Sequence, residues 1–107
     1  MTVDPMTTVV IPKPAYNILR RLTGESRPDI ALSLALKDLV RLRLEAVRVL
    51  SASFKEKYKM SFADFEDSWQ RGDIQPKHSY EIEQDYLAWE SAVTDERALE
   101  ELAQWMA

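Results

Sequence analysis

Apolar and polar positions along the chain recur at helical spacing through most of its length. Pro14, Ile18, Leu19 and Leu22 precede Gly24, one of only two glycines. A favourable first-turn proline, a short apolar face and a glycine terminator predict a helix of about two to three turns. Ser26, Pro28 and Asp29 then read as a second start, with Ser26 capping and Asp29 reaching back as the capping-box acid. No glycine or proline follows until Gly72, so helix is expected across residues 27–59, about 50 Å at the usual rise.

The first part of that long helix, Ile30 through Leu36, is apolar nearly all round, as in a subunit interface. Further on, Leu36, Val40, Leu44, Val47, Phe54 and Tyr58 form one stripe. Lys37, Arg41, Glu45, Arg48, Lys55 and Lys59 form the polar face. Ser53 with Glu56 makes another possible capping box, which predicts a kink or break near residues 51–53.

Capping signals organise the second half. Ser61 and Asp64 form a box, Met60 and Phe65 a hydrophobic staple, and Gly72 a left-handed terminator, framing a helix with Phe62, Phe65 and Trp69 on one face. Residues 73–79, with Pro76, read as a loop or hinge. Ser79 caps a further helix in which Ile82, Tyr86, Trp89 and Val93 recur at helical spacing. Thr94 and Asp95 cap or interrupt it, before a final apolar face of Leu99, Leu102 and Trp105 or Met106.

Ahead of the first helix, Thr7, Thr8, Val9, Val10 and Ile11 are mostly β-branched and end at Pro12, which predicts one short strand. A single strand leaves its backbone unpaired. With no second convincing strand in the chain, a second copy is the expected partner, and a homodimer follows.

Charge divides the chain where the caps do. Residues 1–60 hold 11 Lys/Arg against 6 Asp/Glu, a net of +5; residues 61–107 hold 3 against 12, a net of −9. The expected domains are therefore a dimerising, basic 1–59 and a helical, acidic 60–107, within a chain of 107 residues. The absence of cysteine excludes disulfides and thiolate metal sites and suits a reducing cytoplasm. No apolar run reaches membrane-spanning length and MTVDPMTT lacks signal-peptide regions, so a cytoplasmic protein without a membrane partner is expected.

The segment VVIPKPAYNILRRLTGESRPDIALSLAL, with Ile11-Pro12 closing the strand and 24–30 turning into the second helix, resembles the ribbon-helix-helix family of DNA-binding repressors, many of them antitoxins. The resemblance implies a mainly α fold: a ribbon-helix-helix-like dimerisation module of one short strand and two helices, the second long, followed by the helical acidic region. It also implies an intertwined dimer whose paired strands lie in the DNA major groove. Thr8 and Val10 then face the operator, where the family carries stronger readers. Lys13 and the amides at Ser26 and Arg27 contact phosphate.

The segments KYKMSFADFEDSWQ and SYEIEQDYLAWE look like the C-terminal region of small antitoxins of type II toxin-antitoxin pairs. On physical grounds, aromatic residues ringed by acids suit a basic target. The candidate contacts for a cognate toxin, read as a ribonuclease, are Tyr80, Ile82, Tyr86, Trp89, Glu90 and Val93. The competing reading packs Phe62, Phe65, Trp69, Tyr86 and Trp89 in a helical core; Phe62, Phe65 and Trp69 fit it better, Tyr86 and Trp89 fit partner binding better.

Catalysis has little support. His78 is the lone histidine and falls in the loop, while Glu81 and Asp85 share a face without further ligands, so neither metal nor cofactor is expected. The function expected is an antitoxin that neutralises stoichiometrically, with operator binding by the ribbon. The alternative is a helical oligomerisation or adaptor protein that does not bind DNA.

Overall fold

The computed structural model describes residues 10–74 and 79–106. Among them the chain forms four helices: α1, Lys13–Thr23; α2, Pro28–Tyr58; α3, Phe62–Arg71; and α4, Tyr80–Met106. No strand occurs among the described residues, so the fold is all α and not the ribbon-helix-helix arrangement. Val10 and Ile11 lie in irregular chain leading to Pro12; Thr7, Thr8 and Val9 lie outside the described residues. The physical reason is that β-branched propensity is local, whereas a strand needs a second one to satisfy its backbone, and the described residues supply none.

The chain divides into two compact units, Met1–Leu39 and Val40–Ala107. In the first unit, Pro12 precedes α1, its carbonyl accepting from the Tyr16 amide at 3.0 Å. Gly24 closes α1 in the left-handed region at φ 72° and donates its amide to the Arg20 carbonyl. The Tyr16 hydroxyl donates to the Ser26 carbonyl at 2.6 Å, tying α1 to the chain that enters α2. Ala31 is buried.

In the second unit, the α2 stripe places Phe54 and Tyr58 against α3 and α4. Phe54, Phe65 and Trp89 are the buried core, with Tyr58, Met60, Phe62, Ile74, Ile82, Tyr86 and Val93 packed around them. The expected kink near 51–53 is absent, and α2 runs unbroken through it. Its serines serve the helix instead: the Ser53 hydroxyl donates to the Leu50 carbonyl at 2.6 Å, and Ser51 accepts from Trp89. Lys59, at φ 56°, takes the left-handed conformation that ends α2.

The caps of α3 and α4 match the sequence. The Ser61 hydroxyl accepts from the Asp64 amide at 3.2 Å, and Gly72 ends α3 at φ 77°. Ser79 caps α4 by accepting from the Ile82 amide at 3.2 Å. Thr94 and Asp95 lie inside α4, which continues without interruption to Met106.

Candidate partner-binding surface

The periodicity of α4 presents two faces, and unit 2 uses one of them itself. Ile82, Tyr86, Trp89 and Val93 lie on the inner face, packed in or against the core. Trp89 is 1% exposed, with ring centroids 5.2 Å from Phe65, 5.4 Å from Phe62 and 5.7 Å from Phe54. Tyr86 stacks on Trp69 at 5.1 Å and donates its hydroxyl to Glu66 at 3.1 Å. Four of the six candidate partner contacts are therefore committed within the chain. Aromatic spacing shows that a face must be covered, and here α2 and α3 cover it.

Charged groups seal the rim of that core. Asp85 accepts from the Lys57 ammonium and the Tyr58 hydroxyl, both at 2.6 Å, and Glu81 accepts from Lys57 at 2.7 Å. Arg48 spans Glu96 at 3.5 Å and Glu100 at 2.9 Å. Burial alone would raise the Asp85 pKa, but the hydrogen bonds from Lys57 and Tyr58 outweigh it and hold the carboxyl below its ordinary range. Burial, and then the hydrogen bond to Asp85, push Tyr58 up to about 12. Burial and the bond to Glu66 push Tyr86 up to about 12 as well. The lysine is raised above its ordinary value by the same two carboxylates. Glu81 and Asp85 thus hold an ammonium group; His78 lies outside the described residues, and among those described no group of three or more His, Cys, Asp or Glu is placed to hold a metal.

The other face of α4 is open. Tyr80, Leu87, Leu102 and Trp105 are exposed large apolar residues, Trp105 to 89%. At 100° per residue they share one side of the helix, where Ser91, Thr94 and Ala98 are also exposed. Exposed Glu83, Glu90 and Glu101 run along its flank, and α4 as a whole carries eight acids against one base, Arg97. Of the sequence candidates only Tyr80 and Glu90 belong to this outer surface. The final apolar face divides between the two sides, Leu99 and Met106 half-buried and Leu102 and Trp105 exposed. Leu87 was missed because it stands between the aromatic positions that dominate the period.

The candidates for DNA contact sit in the first unit. Thr8 lies outside the described residues, and Val10 and Lys13 are exposed. At the start of α2 the Arg27 amide donates to the Glu25 carboxylate at 3.3 Å, and the Arg27 guanidinium pairs with Asp29 at 3.3 Å. Two carboxylates thus occupy the helix terminus expected to meet a phosphate, an electrostatically favourable arrangement for the helix. Ser26 offers its carbonyl to Tyr16, and Asp29 accepts from the Arg27 guanidinium.

Comparison of the chain with protein-family models, with curated proteins and with solved structures finds no match to any of them. Among the described residues no helix is long and apolar enough to cross a membrane.

Proposed function

We propose that this chain is a stoichiometric protein-binding factor of antitoxin type, which neutralises a basic partner such as a ribonuclease toxin by laying the outer face of α4 across it. The observation that carries the reading is the apolar strip of Tyr80, Leu87, Leu102 and Trp105 beside Glu83, Glu90 and Glu101. Exposed apolar side chains aligned on one helix and bordered by charge mark an interaction surface. The apolar groups supply contact area, and the acids steer and orient a basic target. The inner aromatics support this role indirectly, by fixing α4 to α2 and α3. Operator binding lacks comparable support: the described residues form no strand, and at the start of α2 Arg27 donates to Glu25 and Asp29.

The test is co-expression with the product of the adjacent gene. The reading predicts that the neighbour arrests growth alone and is silenced in a stable complex with this chain. Replacing Leu87 and Trp105 by Asp breaks the complex while leaving the helical content unchanged. A harmless neighbour, or a complex indifferent to both substitutions, removes the proposal. A second reading, a helical oligomerisation or adaptor protein without DNA binding, is favoured by the apolar side chains that α2 leaves exposed.

A further inference from the structure

The outer side of α1 combines aliphatic and basic groups. At 100° per residue, Ala15, Tyr16, Leu19 and Thr23 share one side of the helix and are half-buried, and the other side is exposed. There Ile18 and Leu22 form one edge, 59% and 75% exposed, with Val10, 82% exposed, just ahead of the helix. Lys13, Asn17 and Arg20 form the other edge, and Arg21 lies between the two. No acid occurs from Val10 to Gly24, and among the described residues no ion pair engages Lys13, Arg20 or Arg21. Arg20 and Arg21 in the last turn suit the helix dipole, whereas Lys13 in the first turn opposes it, so helix stability does not account for its charge. A recess of about 570 Å³ opens on this side, with Pro14, Asn17, Ile18, Arg20 and Arg21 in its lining.

We propose that this side of α1 docks on an anionic lipid membrane. Val10, Ile18 and Leu22 enter the boundary between headgroups and acyl chains, while Lys13, Arg20 and Arg21 meet headgroup phosphates and the recess receives one headgroup. A helix with an aliphatic edge, a cationic edge and no acid has the pattern of one that lies in a membrane interface. Nucleic acid would use the cations and leave the three aliphatic side chains in water, since contacts to its backbone come from charged and polar groups. Protein hot spots favour Trp and Tyr over Leu and Val, and the exposed apolar groups here are all aliphatic. The contact is peripheral, no helix among the described residues being long and apolar enough to cross a membrane. It is independent of what the outer face of α4 binds.

The test is flotation of the full chain with vesicles of phosphatidylcholine mixed with phosphatidylglycerol, and with vesicles of phosphatidylcholine alone. Binding is expected to the mixed vesicles only, and to fall as salt is raised. The double variant Arg20→Gln and Arg21→Gln is expected to weaken partitioning about thirtyfold. The double variant Ile18→Ser and Leu22→Ser keeps every charge and is also expected to release the chain from the vesicles. All four side chains are exposed, so helical circular dichroism is expected to be unchanged in both variants. Glycerol phosphate in solution is expected not to compete, because it supplies a headgroup without a surface for Ile18 and Leu22. No binding to the mixed vesicles, equal binding to both kinds, or binding indifferent to either variant overturns the proposal. Salt-sensitive binding to duplex DNA by a chain that ignores vesicles overturns it in favour of a nucleic-acid surface.

Discussion

The indole Nε1 of Trp89 donates a 3.1 Å hydrogen bond to the hydroxyl of Ser51, joining the most enclosed aromatic of α4 to the middle of α2. The bond satisfies the one polar atom of a side chain that is otherwise packed against Phe54, Phe62 and Phe65. Ser51→Ala leaves that N–H without its partner in an apolar surrounding and is predicted to destabilise the chain by about 1–3 kcal/mol. Urea denaturation followed by Trp fluorescence measures the change, and an unaltered midpoint would show that the bond contributes nothing.

The same packing predicts the result of truncation. Removing residues 79–106 takes Trp89, Tyr86, Ile82 and Val93 from the core and leaves Phe54, Tyr58 and Phe65 uncovered. Loss of one large core aromatic typically costs about 3–5 kcal/mol, a large share of the stability of a small domain. The truncated chain is expected to lose cooperative thermal unfolding of α3 and the second half of α2. A sharp, intact transition would mean that α4 is a dispensable tail.

The legible part of this fold was local. Ser61, Gly72, Ser79 and Gly24 each end or begin a helix where their chemistry requires it. The period of Ile82, Tyr86, Trp89 and Val93 identified a face needing cover, and Phe54 and Tyr58 on α2 were in the stripe that supplies it. Periodicity does not say whether cover comes from the same chain or another, so core packing and partner binding both remain open for Tyr86 and Trp89 in the sequence, and the fold turns both inward. Ser53 misled in a similar way: a hydroxyl that can cap a helix can also bond back to Leu50 within one.

Asp85 ties stability to acid pH. Its carboxyl is held below the ordinary 3.8, so the folded state keeps it ionised where the unfolded chain has begun to take up the proton. Its contribution is present above about pH 4 and is lost as pH falls through the lowered value. Asp85→Asn removes that acid dependence and is predicted to cost about 1–3 kcal/mol near neutrality. Denaturation midpoints compared across pH 2 to 7 check both, and parallel acid limbs in the two proteins would contradict the assignment.

Tyr58 and Tyr86 act on the alkaline side with the opposite sign. Both are raised from 10.0 to about 12, so the folded state retains protons that the unfolded chain releases first. Their contribution is intact below about pH 10 and falls away as pH rises toward about 12. Tyr58→Phe is expected to flatten part of this alkaline loss in the same denaturation series.

Lys59 holds φ 56°, where a side chain is strained and glycine is not. Its surface pairing with Glu56 is worth little against that strain. Lys59→Gly is predicted to raise stability by up to about 1 kcal/mol, read as a higher melting temperature. A marked loss would mean that the lysine side chain itself holds the α2–α3 turn.

The central claim is that the outer face of α4, and not its inner aromatics, meets the partner. The direct measurement is calorimetric titration of the adjacent gene product with the unmodified chain and with the triple variant Glu83→Lys, Glu90→Lys, Glu101→Lys, all three side chains being exposed. The account predicts saturable binding that weakens on the order of a hundredfold in the variant, with Trp fluorescence unchanged. Equal affinity in both proteins, or no binding by either, would contradict it.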